Sequence, residues 1–342
     1  MIKTKLILIL VIWLSLLFLT TSRVAAQSVL VNHENVNADI IPESWLDEAR
    51  KFDIFFGHQS VGQVITYGDD TGSAGGLEDL PRPRYEISIV NNPTLAWYSN
   101  NNGWGESLIG ANFDPQSKVN AFSAQMQVLG SQVDIAIMKF CYVDFANVAF
   151  NDIYNMYVNT MESLENNYPG VIFVWWTAPL TRSNPSSGYG NNADRYSYNQ
   201  MIRSYAASHN KILFDVADIE SHDLSGDYCY NTVEREFFCD GSSGYDNFVG
   251  GTGHPNALGA ERLSRSIWWL LARLAGWNPD GPPPVTPTST PAPTLTSTPT
   301  NTPTPVYPNF RQLLASWLTS NYDQNADAKV NSFDFASPLL AY

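Results

Sequence analysis

The feature that most restricts the fold is a series of short, continuously apolar runs alternating with helical-period segments through the middle of the chain. Residues Lys51 to Phe56 read as a short buried-type strand closed by Gly57, and Tyr85 to Val90 as a second strand. Val133 to Phe140 is strongly apolar, and Val171 to Trp176 and Lys211 to Val216 continue the series. Between them, Ser117 to Leu129, Phe150 to Asn167 and Arg195 to His209 carry apolar residues at helical spacing, and Ala257 to Leu274 closes the domain as a long helix. A strand that is apolar along its whole length must be covered on both faces. Alternation with helices therefore predicts an α/β fold, a three-layer α/β/α arrangement around a parallel sheet. Ligands bind such sheets at the carboxyl ends of the strands, so function is sought just after each strand.

The two ends of the chain have a different texture. Lys3 and Lys5 precede an apolar run from Leu6 to Leu19 broken only by Ser15, and Val24-Ala25-Ala26 supplies small residues for cleavage. This pattern predicts a signal peptide over residues 1–26, too short for the roughly 20 residues of a membrane span, and an exported, extracellular product. Residues 278–308 hold 11 of the 21 prolines, nine threonines and one charge, Asp280. Such a segment packs no core and reads as a semi-rigid Pro/Thr-rich linker. Beyond it, residues 309–342 hold a short helical pattern followed by Asp323, Asn325, Asp327, Asn331 and Asp334. These put side-chain oxygens at positions 1, 3, 5, 9 and 12 of a loop, with the Lys329 carbonyl at position 7, as Ca²⁺ requires. The segment resembles one calcium-binding repeat of a dockerin. That resemblance implies a small C-terminal helical calcium-binding module and a cohesin-like partner, although dockerins carry two repeats and position 6 here is Ala328.

The 342 residues leave about 250 for a central domain over 27–277, with no metal or organic cofactor expected for its chemistry. The chain has 19 basic and 33 acidic residues, a net charge of −14, which opposes binding to nucleic acid or to an anionic membrane surface. At 13% aromatic and 15% charged it is too apolar for a disordered chain.

The first strand runs into Gly57-His58-Gln59-Ser60-Val61-Gly62, and the last helix is preceded by Gly251-Thr252-Gly253-His254-Pro255-Asn256. A serine in the first strand–helix turn and a histidine before the last helix resemble the SGNH (GDSL-like) hydrolases over roughly residues 54–274. The resemblance implies a flavodoxin-like sheet, a nucleophilic Ser60 and a catalytic His254. It also implies an oxyanion hole with donors from Ser60 and from Gly110 in the stretch Leu108-Ile109-Gly110-Ala111-Asn112, with Asn112 beside it. The chain departs from the family pattern in three places: Gln59 stands before the serine, Gly251 replaces an acid before the histidine, and Cys141-Tyr142-Val143-Asp144 keeps only its final acid. The group that orients His254 is Asp144, Asp240, Asp246 or a backbone carbonyl; the sequence does not choose. Serine also suits a helix N-cap, and a histidine before Pro255 suits the first turn of a helix, so each residue alone has a structural reading.

Cys229 and Cys239 lie in a loop-rich stretch ahead of His254, where an exported chain predicts a disulfide. Cys141 follows a core strand and reads either as a buried thiol packed as a small hydrophobe or, from its strand-end position, as an active-site residue. Trp97, Tyr98 and Trp104, beside Asn100, Asn101 and Asn102, either stack on sugars or cover the core. Two functions follow: a secreted serine esterase that removes acyl, plausibly acetyl, groups from carbohydrate or related extracellular substrates, or a non-catalytic carbohydrate-binding or scaffold-attached module on the same fold.

Overall fold

A computed structural model describes residues 29–69, 74–130, 132–182, 190, 192–230 and 235–281. The expected leader, the linker beyond residue 281 and the loop from Asp323 to Asp334 lie outside the described residues. No helix among the described residues is long and apolar enough to cross a membrane.

Seven strands form one parallel sheet: β1 (Leu30–Val31), β2 (Asp53–His58), β3 (Ile89–Asn91), β4 (Gly103–Leu108), β5 (Ile135–Met138), β6 (Ile172–Trp176) and β7 (Ile212–Phe214). Their spatial order is β1-β7-β6-β5-β2-β4-β3, every neighbouring pair parallel. Among the described residues eight α-helices accompany them: α1 (Glu43–Ala49), α2 (Ser60–Tyr67), α3 (Leu95–Tyr98), α4 (Pro115–Leu129), α5 (Phe150–Asn167), α6 (Asn192–Ser208), α7 (Val216–Ser221) and α8 (Ala257–Leu274).

The period of two along each strand divides the core into two layers. Ile54, Phe56, Ile135, Ile137, Val174 and Trp176 pack with Leu46 of α1, Ile65 of α2 and Leu263, Ile267 and Trp268 of α8. Phe55, Ala136, Met138, Phe173 and Trp175 face the other way, onto Phe122 and Met126 of α4, Ile153 and Tyr157 of α5 and Ile202 of α6. This is the expected three-layer α/β/α architecture with both sheet faces covered.

Three elements differ from the expectation. The strand read from Tyr85 begins only at Ile89, because Tyr85 and Ile87 are buried in an irregular segment instead. The short edge strand β1 was not anticipated. Neither was β4, whose Gly-Trp-Gly-Glu-Ser-Leu sequence carries no strand pattern. Its glycines are required by close approach: a Cβ on Gly105 would stand 2.2 Å from the Tyr98 hydroxyl oxygen, which itself donates to Ile54 O at 2.7 Å. Trp104 on β4 is fully buried and donates to Thr66 Oγ1 at 3.2 Å. Trp104 and Tyr98 thus cover the core, and they are not available to stack on a sugar.

The chain leaves β2 toward β3 and leaves β5 toward β6, in opposite directions from two adjacent strands. The gap between the carboxyl ends of β2 and β5 is therefore the topological switch point, where open α/β sheets bind ligands.

Candidate active site

β2 delivers its last residue, His58, into the protein interior. The imidazole is completely buried, with Nε2 2.8 Å from Glu106 Oε2 on neighbouring β4 and Nδ1 3.1 Å from Gln59 O. Glu106 also accepts from the Tyr67 hydroxyl at 2.9 Å and from Asn91 Nδ2. Burial raises the Glu106 carboxyl, but the donors from His58, Tyr67 and Asn91 outweigh it and hold the group below the usual range. Burial pushes the His58 imidazole down. α2 packs directly on this histidine: a Cβ on Gly62 would stand 2.4 Å from His58 Cβ. His58 and Glu106 thus form a buried platform that sets the direction of the turn after β2.

Gln59 takes the N-cap position of α2, without a capping side-chain bond, and Ser60 becomes the first helical residue. The Gln59 amide is used elsewhere: Nε2 donates to Ile109 O and to Gly110 O, both at 2.9 Å. The glutamine that stands before the serine therefore ties the β2 turn to the loop after β4. Gly110 has φ +57°, and a Cβ there would lie 2.5 Å from Lys118 N, so the position demands glycine. The Ser60 N–H, in the first turn of α2, has no partner within its own helix. Asn112 is exposed and accepts from Lys118 Nζ at 3.3 Å through Oδ1.

Ser60 is half-buried, and its Oγ lies 3.9 Å from Cys141 Sγ, at the carboxyl side of β5. The Cys141 thiol is fully buried, as expected. Lys139 Nζ donates to Cys141 Sγ at 3.4 Å and to Phe140 O at 3.3 Å. Lys139 is also fully buried, and burial pushes its ammonium below the usual range. Beneath Ser60 the switch point thus holds a thiol and a buried ammonium. The sequence signal was a single lysine inside the apolar run Ile135-Ala136-Ile137-Met138-Lys139-Phe140.

Asp144, one of the acids considered for orienting His254, is paired with Lys118. Its two oxygens take Lys118 Nζ at 2.8 and 2.6 Å, the Cys141 N–H at 2.7 Å and the Phe113 N–H at 3.1 Å, with both charged side chains fully buried. Its carboxylate is engaged by Lys118 and by the turn after β5. Of the other acids considered, Asp246 accepts from the Leu224 N–H at 2.9 Å, and Asp240 from the Ser242 N–H at 3.0 Å and the Tyr230 hydroxyl.

His254 arrives on the loop before α8. Gly250 N donates to His254 O at 2.7 Å, Gly253 N donates to Gly250 O at 3.1 Å, and Val249 pairs with Pro255. Asn256, not His254, caps α8 by accepting from Gly259 N at 3.0 Å. The loop leans on the segment closed by the Cys229–Cys239 disulfide, as Phe248 N donates to Cys239 O at 2.9 Å. His254 Nδ1 lies 3.3 Å from Thr252 Oγ1, and its ring centroid lies 6.0 Å from that of Tyr142.

Ser60 and His254 line one cleft of about 200 Å³, together with Tyr67 and Asp69. Asp69, just past the end of α2, is the carboxylate of that cleft among the described residues. Sequence reading missed it because nothing local marks it. Larger clefts of about 490 Å³ beside Arg82 and about 350 Å³ beside Arg203 contain no serine–histidine pair.

No protein-family model and no curated protein matches the chain. Among solved structures it is similar to a GDSL-like lipase from Bacteroides thetaiotaomicron, at 12% identity over 70% of this chain and 98% of that one, with a TM-score of 0.40. It is similar to an acetyl xylan esterase at 14% identity over 63% and 98% of the two chains, TM-score 0.39. A mutant acetyl-xylooligosaccharide esterase from a Geobacillus species shares 16% identity over 66% and 94%, TM-score 0.34. One fold hosts many chemistries, so the residues of the cleft decide the function.

Proposed function

We propose that the protein is a secreted serine hydrolase of ester bonds, with Ser60 as nucleophile and His254 as general base. The observation that carries this reading is that Ser60, after the first core strand, and His254, before the last helix, line one cleft beside the switch point of the sheet. A serine hydroxyl is a weak nucleophile until an imidazole takes its proton. Ser60 Oγ attacks the acyl carbon as His254 accepts its proton, and His254 returns that proton to the departing alcohol. Water, deprotonated by the same imidazole, then attacks the acyl-serine; the acid is released as His254 returns the proton to the departing Ser60 Oγ. Backbone N–H groups of Ser60 and Gly110 are the proposed donors to the developing oxyanion, with the Gln59 amide fixing the Gly110 peptide. Asp69 is the proposed partner that orients His254.

The substrates we favour are acyl, especially acetyl, esters on extracellular carbohydrate. Support comes from the leader-like first 26 residues and the Ca²⁺-type oxygen pattern from Asp323 to Asp334. That pattern is itself a proposed calcium site, to be checked by Ca²⁺ titration of the full chain. A non-catalytic sugar-binding role is the second reading, favoured by Gly251 where the related hydrolases place an acid.

Hydrolysis of p-nitrophenyl acetate by the wild-type chain and by Ser60→Ala distinguishes the two. Loss of the nucleophile is expected to lower kcat by roughly 10⁴- to 10⁶-fold. Equal rates in the two proteins, or no turnover in either, would remove the esterase assignment.

A further inference from the structure

A second constellation of side chains lies at the β1 edge of the sheet, away from the Ser60 cleft. β1 and β7 are paired neighbours, with Val31 opposite Phe214. Just past Val31 the chain makes a short turn containing His33, and just past Phe214 it enters α7, which carries Asp218 and has His222 as its C-cap. Two strand ends that are adjacent in space thus bring together residues far apart in sequence. His33 Nδ1 lies 2.5 Å from Asp218 Oδ2, and His222 Nδ1 lies 3.5 Å from Asp218 Oδ1. One ligand atom from each of the three residues falls within 4.8 Å of the others. All three side chains keep between 12% and 21% of their surface in contact with solvent, which leaves an approach for an ion.

We propose that His33, Asp218 and His222 bind a divalent transition-metal ion of the Zn²⁺ type. Bonds of about 2.0–2.1 Å at tetrahedral angles put neighbouring ligand atoms roughly 3.3 Å apart, and the two contacts made by Asp218 bracket that spacing. Two imidazoles with one carboxylate suit zinc, copper or nickel; magnesium and calcium prefer all-oxygen sites.

The surroundings already hold the ligands. The His33 backbone N–H donates to Asp218 Oδ2 at 2.9 Å, and the His222 and Tyr228 rings meet in a T-shaped contact with centroids 4.8 Å apart. His222 Nδ1 also lies 2.8 Å from Asp218 O, so the last turn of α7 holds the ring beside the carboxylate. Arg262 donates to His222 O at 2.7 Å, and its positive charge is met by Asp218, Asp223 and Asp246. In the metal-free arrangement the two rings stack, with centroids 3.7 Å apart and 9° between their planes. Their lone pairs then run side by side, so one ring must turn for both to meet a single ion. His33 has the space: even a Cβ built on Gly226 would lie 4.0 Å from its Cδ2. The bound metal would clamp the segment after β1 to α7.

The test uses the full chain, stripped with chelator and returned to calcium-containing buffer so that the C-terminal segment does not compete for the added metal. Titration with Zn²⁺ is expected to show one equivalent bound and a rise in Tm. His33→Gln and His222→Gln should each abolish that equivalent and the Tm rise. No zinc uptake by the wild-type chain, or full uptake by both folded variants, would overturn the proposal. Should either variant misfold, ¹⁵N-imidazole NMR of the wild-type chain decides the matter. Of its five histidines, only His33 and His222 should shift with zinc; unmoved His33 and His222 resonances would overturn the site.

Discussion

Glu220 lies in the interior near the end of α7, with 2% of its surface exposed. One carboxylate oxygen accepts the Leu180 N–H at 2.6 Å, and the other has no hydrogen-bond partner among the described residues. Burial pushes its pKa from 4.5 to about 8, although the Leu180 N–H and the Lys139 and Arg195 charges pull the other way. Between those two pH values the folded chain carries a proton that the unfolded chain has released, so stability falls as pH rises. The slope is about 1.4 kcal/mol per pH unit, or about 5 kcal/mol across the interval. Glu220→Gln keeps an acceptor for Leu180 and removes the titration. Any fixed cost of its amide is the same at every pH, so the informative quantity is the slope. Between pH 5 and pH 8, wild type should lose about 4 kcal/mol relative to the variant. Urea unfolding followed by tryptophan fluorescence at each pH, with unchanged m-values, measures that difference. Parallel curves for the two proteins would refute the assignment of a protonated Glu220 in the folded state.

Removing Lys118 should be severe: Lys118→Met leaves Asp144 charged and buried without its cation, at a cost of about 3–5 kcal/mol in urea unfolding. Glu106→Gln presents an amide where three donors converge, and about 1–3 kcal/mol of stability should be lost for each donor left unpaired. Esterase activity in that variant should drop with KM nearly unchanged, because the His58 platform positions the turn that carries Ser60. Replacing both Cys229 and Cys239 by serine opens a loop of ten residues and should lower stability by about 3 kcal/mol. The same double variant should also lower kcat, since the segment supports the His254 loop; unchanged kcat would separate that loop from the chemistry.

The strands that could be read from the chain are those whose burial is complete on both faces, such as Ile135-Ala136-Ile137-Met138, where hydrophobicity alone specifies the environment. β4 was illegible because its reasons are non-local. Gly105 is small to admit the Tyr98 hydroxyl, and Glu106 is tolerable in a core strand only because His58, Tyr67 and Asn91 surround it. Asp144 could be noticed as an acid after a strand, yet its partner, Lys118, belongs to a helix and is known only once α4 has packed. The three-residue cluster at His33 left no trace in the chain, since its members sit on segments that meet only through the β1–β7 pairing.

What the sequence by itself determined is the layered architecture, the disulfide between Cys229 and Cys239, and the turns on which Ser60 and His254 sit. These follow from apolar periodicity, cysteine pairing and turn position, which are properties of a segment and its neighbours along the chain. The tertiary structure decided which of the marked residues share a cleft, that Asp69 joins them, that Gln59 braces Gly110, and that Asp144 is committed to Lys118. The reason is that a buried polar group is stable only with a compensating partner, and that partner can come from any segment the fold brings within hydrogen-bond reach.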